Sequence, residues 1–262
     1  MNLEEITFKV SEIARSAGSF IRNESLNFSS SKIEYKGLND LVSYVDKEAE
    51  KRIVEGLKSL LPEAGFITEE KTLNIQGEDY NWIVDPLDGT TNFIHGLPAY
   101  SVSIALEYQG ALVSGVVYEI NRDECFYAWK DGGAWLNGTK IKVSENVDLS
   151  QSLLATGFPY YKFDLLEKYI NVFRDLTQVC HGLRRVGSAA VDLAYVACGR
   201  YDGYFEYNLN SYDMAAGIVL VNEAGGQTFN FSGGTEYFNS REIVATNKKI
   251  TDELLSVIQK YF

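Results

Sequence analysis

Asp85-Pro86-Leu87-Asp88-Gly89-Thr90-Thr91-Asn92 is the stretch of this chain with the most chemistry in it. Two carboxylates stand where an apolar run, Trp82-Ile83-Val84, gives way to a Gly-containing turn. That pattern predicts a buried strand ending in an acidic pair. No Lys or Arg occurs between Trp82 and Tyr100. Clustered carboxylates without a local cation are costly to desolvate. A divalent metal relieves that cost, and oxygen-only donors suit Mg²⁺. Gly89-Thr90-Thr91 adds backbone N–H groups and hydroxyls that suit a phosphate. The stretch points to metal-assisted phosphate chemistry.

Further acids extend the candidate site. Asp46 lies at the start of a predicted helix, and Glu69-Glu70 follow a short apolar strand at Phe66-Ile67. Glu206 sits in an extended segment, and Asp213 opens the helix Tyr212-Asp213-Met214-Ala215-Ala216-Gly217. From Tyr201 to Ser240 the chain again lacks Lys and Arg. Taken singly, each acid has an ordinary explanation. Asp46 and Asp213 suit helix N-termini, Glu69-Glu70 suits a solvated pair, Glu206 an exposed strand position and Asp88 a turn cap. Together they suggest one site.

Asp85-Pro86-Leu87-Asp88-Gly89-Thr90-Thr91-Asn92-Phe93, continued by His95-Gly96-Leu97-Pro98, resembles the signature of the inositol monophosphatase family. Asp40-Leu41-Val42-Ser43 followed by Asp46 is similar to that family's upstream Asp-x-Val-Thr-x-x-Asp element. Phe66-Ile67-Thr68-Glu69-Glu70 resembles its Gly-Glu-Glu element. Tyr212 to Gly217, then Glu223-Ala224-Gly225-Gly226, resembles its C-terminal Trp-Asp-x-Ala-x-Gly signature. The matches keep the family's order. They depart from it at Ser43 (usually Thr), Thr68 (usually Gly), Lys71 (commonly Ser) and Tyr212 (usually Trp). None of these removes an acidic residue; they bear on substrate choice more than on catalysis.

The resemblance implies an αβαβα sandwich of the inositol monophosphatase and fructose-1,6-bisphosphatase type, as a homodimer. It implies two or three Mg²⁺ held by Glu69, Asp85, Asp88, Asp213 and the Leu87 carbonyl, with Asp85 bridging two of them. Gly89 and Thr90 would bind phosphate through their N–H groups. Thr90 Oγ1, bonded to Asp46, would orient the attacking water, with Glu70 supporting metal-bound waters. Asp88, Ala189 and Glu206 would face the hydroxyls of the substrate, since a carboxylate accepting two hydroxyl hydrogen bonds suits a polyol. The implied activity is hydrolysis of a small polyol phosphate, foremost myo-inositol monophosphate, with Li⁺ sensitivity. Related phosphatases share these metal motifs and cleave adenosine 3′,5′-bisphosphate, fructose 1,6-bisphosphate, histidinol phosphate or NADP. A regulatory protein-binding role is the alternative from another class, because some bacterial relatives contact the transcription machinery.

Other motifs fail. The haloacid-dehalogenase nucleophile motif, Asp-x-Asp-Gly-Thr, would need an Asp where Pro86 stands. Gly133 to Lys140 nearly matches a P-loop but has Lys and Thr in the wrong order among strand-like segments, so it reads as a turn. Calcium-loop spacing is not met at Asp85 to Asp88. Two histidines, His95 and His181, leave little for a His-based mechanism. Three scattered cysteines read as reduced thiols.

The elements that must position these residues are legible from periodicity. Leu3 to Ile21 carries an amphipathic helix, and a second begins near Asp40 to Asp46 and stops before Pro62. Tyr100–Tyr108, Ala111–Ile120 and Glu124–Trp129 read as an antiparallel meander. Strands are expected at Ser152–Thr156, Gly203–Tyr207 and Glu242–Thr246, and helices at Phe163–Val179, Ser188–Cys198, Tyr212–Glu223 and Thr251–Tyr261. The fold class is therefore layered α/β. We expect residues 1–262 to form one phosphatase domain, with approximate halves 1–146, carrying the metal and phosphate motifs, and 147–262, carrying the substrate side.

Composition excludes other classes. With 36 acidic against 24 basic residues, net charge −12, the chain is a poor general binder of nucleic acid or anionic membrane. No apolar run approaches the ~20 residues of a membrane span. A cytoplasmic location is expected.

Overall fold

The computed structural model describes residues 1–26, 33–37, 40–159 and 164–262. In chain order the elements are α1 (Leu3–Ser25), β1 (Ile33–Gly37), β2 (Asp40–Ser43), α2 (Tyr44–Leu60), β3 (Gly65–Thr68), β4 (Tyr80–Asp88), α3 (Thr90–Ile94), β5 (Ser101–Tyr108), β6 (Ala111–Glu119), β7 (Glu124–Trp129), β8 (Gly133–Leu136) and β9 (Thr139–Ile141). There follow β10 (Leu153–Gly157), α4 (Leu166–Val179), β11 (Gly182–Arg184), α5 (Ala189–Ala197), β12 (Gly203–Tyr207), α6 (Ser211–Glu223), β13 (Gln227–Phe229), α7 (Tyr237–Ser240), β14 (Glu242–Thr246) and α8 (Thr251–Gln259).

Two sheets organise the molecule. The first runs β3-β4-β5-β6-β7-β8-β9; the second runs β11-β10-β12-β14-β13. The amphipathic helices α1 and α2 cover one face of the first sheet, where Ala14, Ile21, Ile53 and Leu57 meet Trp82, Ile104 and Val116. Helices α5 and α6 fill the space between the sheets. Their position explains their sequences: AAVDLAYVA and MAAGIVLV have no polar face because no face meets water. Small residues let them approach closely. A Cβ on Gly115 of β6 would lie 2.6 Å from the Ala216 carbonyl oxygen, so only glycine fits under α6. Helices α4 and α8 close the outer face of the second sheet through Tyr169, Val172, Leu254 and Ile258. The result is the αβαβα sandwich, with the predicted meander as β5 to β7.

The sequence reading differs from the structure in places. The second helix starts at Tyr44, and Asp40–Ser43 is strand β2, antiparallel to β1. Ser43 sets the boundary: its Oγ accepts from Val45 N, while Asp46 returns a bond to Ser43 N, a capping box. Gly133 to Lys140 is the β8–β9 hairpin, as the turn read from the sequence requires. β11, β13 and α7 are too short for periodicity to mark. The expected helix start at Phe163 lies outside the described residues. Among the described residues no helix is long and apolar enough to cross a membrane.

Candidate active site

Asp85 and Asp88 end β4, and a β-bulge decides how they project. Asp85 pairs with Ser103 and Asp88 with Ser101, so three steps on β4 match two on β5. In a regular strand residues three apart point to opposite faces. The extra residue cancels that alternation and turns both carboxylates to one side. Pro86 sits in the irregular step, a position where a missing N–H costs no ladder bond. Leu87 N then donates to Asp85 Oδ1 at 2.9 Å.

Gly89 turns the chain into α3 with φ 97°. A Cβ there would lie 3.0 Å from the Ala99 oxygen and 3.2 Å from the Gly187 oxygen. Thr90 follows, and its Oγ1 donates to Asp46 Oδ1 at 2.8 Å, with the Leu87 carbonyl as second acceptor at 3.1 Å. Asp46 is fully buried. Its other oxygen accepts from Ser43 N and Oγ at 2.8 and 2.6 Å. Burial pushes its carboxyl above the usual range, against those hydrogen bonds. The Thr90–Asp46 pair expected from the sequence is formed. Asn92 Nδ2 ties this turn to the Ala99 and Val186 carbonyls.

Glu69 and Glu70 are half-buried in the turn after β3. Glu69 N donates to the Val84 carbonyl, next to Asp85, whose carboxyl the charge of Glu69 helps to raise. Glu70 N donates to Glu50 of α2, a buried acid that sequence reading passed over.

Asp88 reaches the other half. Its Oδ2 accepts from Ser188 Oγ at 2.6 Å and Ala190 N at 2.7 Å, at the N-terminus of α5. Ala189 is buried there, its backbone also turned to Asp88. Burial first, opposed by these bonds, brings the Asp88 carboxyl to about 6. Asp213 is the third residue of α6, where it accepts from Asn210 N at 2.5 Å. Burial and then the charge of Asp88 push it up to about 8. Glu206 on β12 is half-buried and accepts from Tyr204 Oη. Burial raises it to about 7. A Cβ on Gly157 would fall 2.0 Å from its Oε2, so glycine in the neighbouring strand leaves the carboxylate room in this position.

The four acids expected to hold metal interact with one another. Asp85 is driven well up by burial, then by Glu69, Asp88 and Asp213. Among the described residues no three Asp, Glu, His or Cys side chains already stand in metal-holding geometry; what converges is a set of acids whose charges bear on Asp85. Such hard-oxygen donors, each raising another's affinity for a proton, fit a divalent cation. One expectation is corrected. The local sequence lacks cations, yet the fold brings Arg185 to Asp88 and Glu206, and Arg241 to Asp213, where each lowers the carboxyl. Ser188 and Arg185 were not predicted, because both act from segments remote in sequence.

The chain matches the model of the inositol monophosphatase family over residues 2–261. It is 44% identical over 253 residues to Nus factor SuhB of Pseudomonas aeruginosa, covering 95% of this chain and 93% of that protein. The crystal structure of extragenic suppressor protein suhB from Bartonella henselae superposes with TM-score 0.94 at 40% identity, covering 98% of this chain and all of that one. Inositol monophosphatase from Anabaena gives TM-score 0.86 at 34% identity, covering 100% and 98%. The chain belongs to the inositol monophosphatase family.

Proposed function

We propose that this protein is a Mg²⁺-dependent phosphomonoesterase acting on a small polyol phosphate, with myo-inositol monophosphate foremost. The observation that carries the reading is the bulge that brings Asp85 and Asp88 to one side of β4, with Glu69 anchored beside them through its N–H to the Val84 carbonyl. Glu69, Asp85, Asp88, Asp213 and the Leu87 carbonyl would hold two or three ions. When bound, Mg²⁺ supplies charge to the phosphoryl oxygens and lowers the pKa of water.

The chain's own residues supply the rest. Gly89 and Thr90 present backbone N–H groups to the phosphate. Thr90 Oγ1 has its proton directed at Asp46, so its lone pairs are free to accept from an attacking water. Asp46, with its proton affinity raised by burial, is a fit terminus for that relay. Glu70 supports the waters beside Glu69. Asp88, Ala189 and Glu206 line the alcohol side.

The test is inorganic phosphate release from chelator-stripped protein with and without Mg²⁺. Equal release in both arms defeats the proposal. A panel adding adenosine 3′,5′-bisphosphate, fructose 1,6-bisphosphate, histidinol phosphate and NADP tests the substrate, and insensitivity to Li⁺ would count against the inositol branch. A regulatory role is the second reading, favoured by the name Nus factor carried by a relative at 44% identity. A pull-down with the Asp85→Asn protein as bait tests it; failure to retain any transcription component speaks against it.

A further inference from the structure

We propose that Glu50 is a positioning residue: it latches the turn at residues 68–72 to α2 and so sets where Glu69 and Glu70 present their carboxyl groups to a divalent cation. The inference rests on the reading of the acidic cluster as a Mg²⁺ site.

Glu50 is fully buried on α2. A buried carboxylate persists where good donors satisfy it, and among the described residues its three donors come from one turn. Oε1 accepts from Thr68 Oγ1 at 2.9 Å and Thr72 N at 2.7 Å; Oε2 accepts from Glu70 N at 2.7 Å. Between the two amide donors lies Lys71 at φ 58°, the left-handed region that lysine rarely adopts. Backbone N–H groups flanking a left-handed residue form an anion-binding concavity, and its anion is Glu50. On the other side, Glu69 N is fixed to the Val84 carbonyl. Glu69 is thus held between β4 and α2. Thr68 contributes through its hydroxyl a bond to the latch that a glycine could not make.

The experiment measures Mg²⁺ affinity by calorimetry and amide hydrogen exchange at 69–72, on the full chain. Glu50→Gln keeps the shape but turns an NH₂ toward N–H and O–H donors. We expect a Kd raised about tenfold or more, faster exchange at Glu70 and Thr72, and kcat at saturating Mg²⁺ near wild type. Thr68→Val, which removes one hydroxyl, moves Kd the same way by less, and Thr68→Ser restores it. If Glu50→Gln does not fold, Thr68→Val decides. Wild-type Kd in the folded variants overturns the latch alone. A wild-type protein that takes up no Mg²⁺ overturns the functional reading and the latch with it.

Discussion

Ser188 Oγ donates to Asp88 Oδ2 at 2.6 Å, joining the end of β4 in the first sheet to the start of α5. Ala190 N donates to the same oxygen, so Asp88 caps a helix whose N-cap residue, Ser188, lies 100 positions downstream of it. Ser188 is itself the N-cap of α5, accepting from Val191 N. One hydroxyl therefore ends a helix and fixes a candidate metal ligand.

Ser188→Ala removes both bonds. Losing a hydrogen bond to a charged group and a helix cap costs about 1–3 kcal/mol. Urea unfolding should show a lower midpoint with unchanged slope. With one lowering contact gone, the Asp88 carboxyl should titrate above its present value of about 6. A variant as stable as wild type would show that Asp88 does not depend on this seam.

Gly89→Ala tests the turn into α3. The positive φ costs an alanine about 1–2 kcal/mol, and the Ala99 and Gly187 oxygens leave its Cβ little room. Thr90 is the next residue, so any shift strains the 2.8 Å bond to Asp46. We expect a fall in kcat larger than the loss of stability explains. A variant that melts earlier but turns over normally would remove the turn geometry from catalysis.

These two residues show what was legible in the sequence. The acidic signature lies in one contiguous stretch, and helices such as α1 declare themselves by period. The convergence of Asp85 and Asp88 depends on a bulge, a matter of pairing rather than composition. Ser188 and Glu50 grip segments 100 and 20 positions away, and no local pattern announces such a bond. Arg185 escaped for the same reason: a cation-free stretch of sequence is not a cation-free volume.

Glu206 offers a pH test of the alcohol side. Its carboxyl is raised to about 7, mainly by burial. The ionised form accepts two hydroxyl bonds, while the protonated form gives up an acceptor position. Ionisation occurs as pH rises, so KM for a polyol phosphate should fall between about pH 6 and pH 8. In Glu206→Gln that limb should vanish, with KM high throughout. A wild-type KM that does not change across this range would take Glu206 away from the hydroxyls.

Asp192 gives the stability counterpart. It lies in α5, 1% exposed, and its Oδ1 has no hydrogen-bond partner among the described residues. Burial, then the charges of Glu206 and Asp88, push its carboxyl well above the ordinary range, with Arg185 in weak opposition. An acid that holds its proton more tightly folded than unfolded stabilises the folded state least at high pH. The unfolded chain ionises at about 3.9, and each pH unit from there up to the folded value costs about 1.4 kcal/mol. Asp192→Asn keeps the shape and cannot ionise. The variant should therefore match wild type near about pH 4 and gain on it steadily toward neutral pH, read as a widening difference in Tm. Parallel Tm profiles would mean that Asp192 ionises alike in both states, and that α5 carries a buried charge with a partner still to be found.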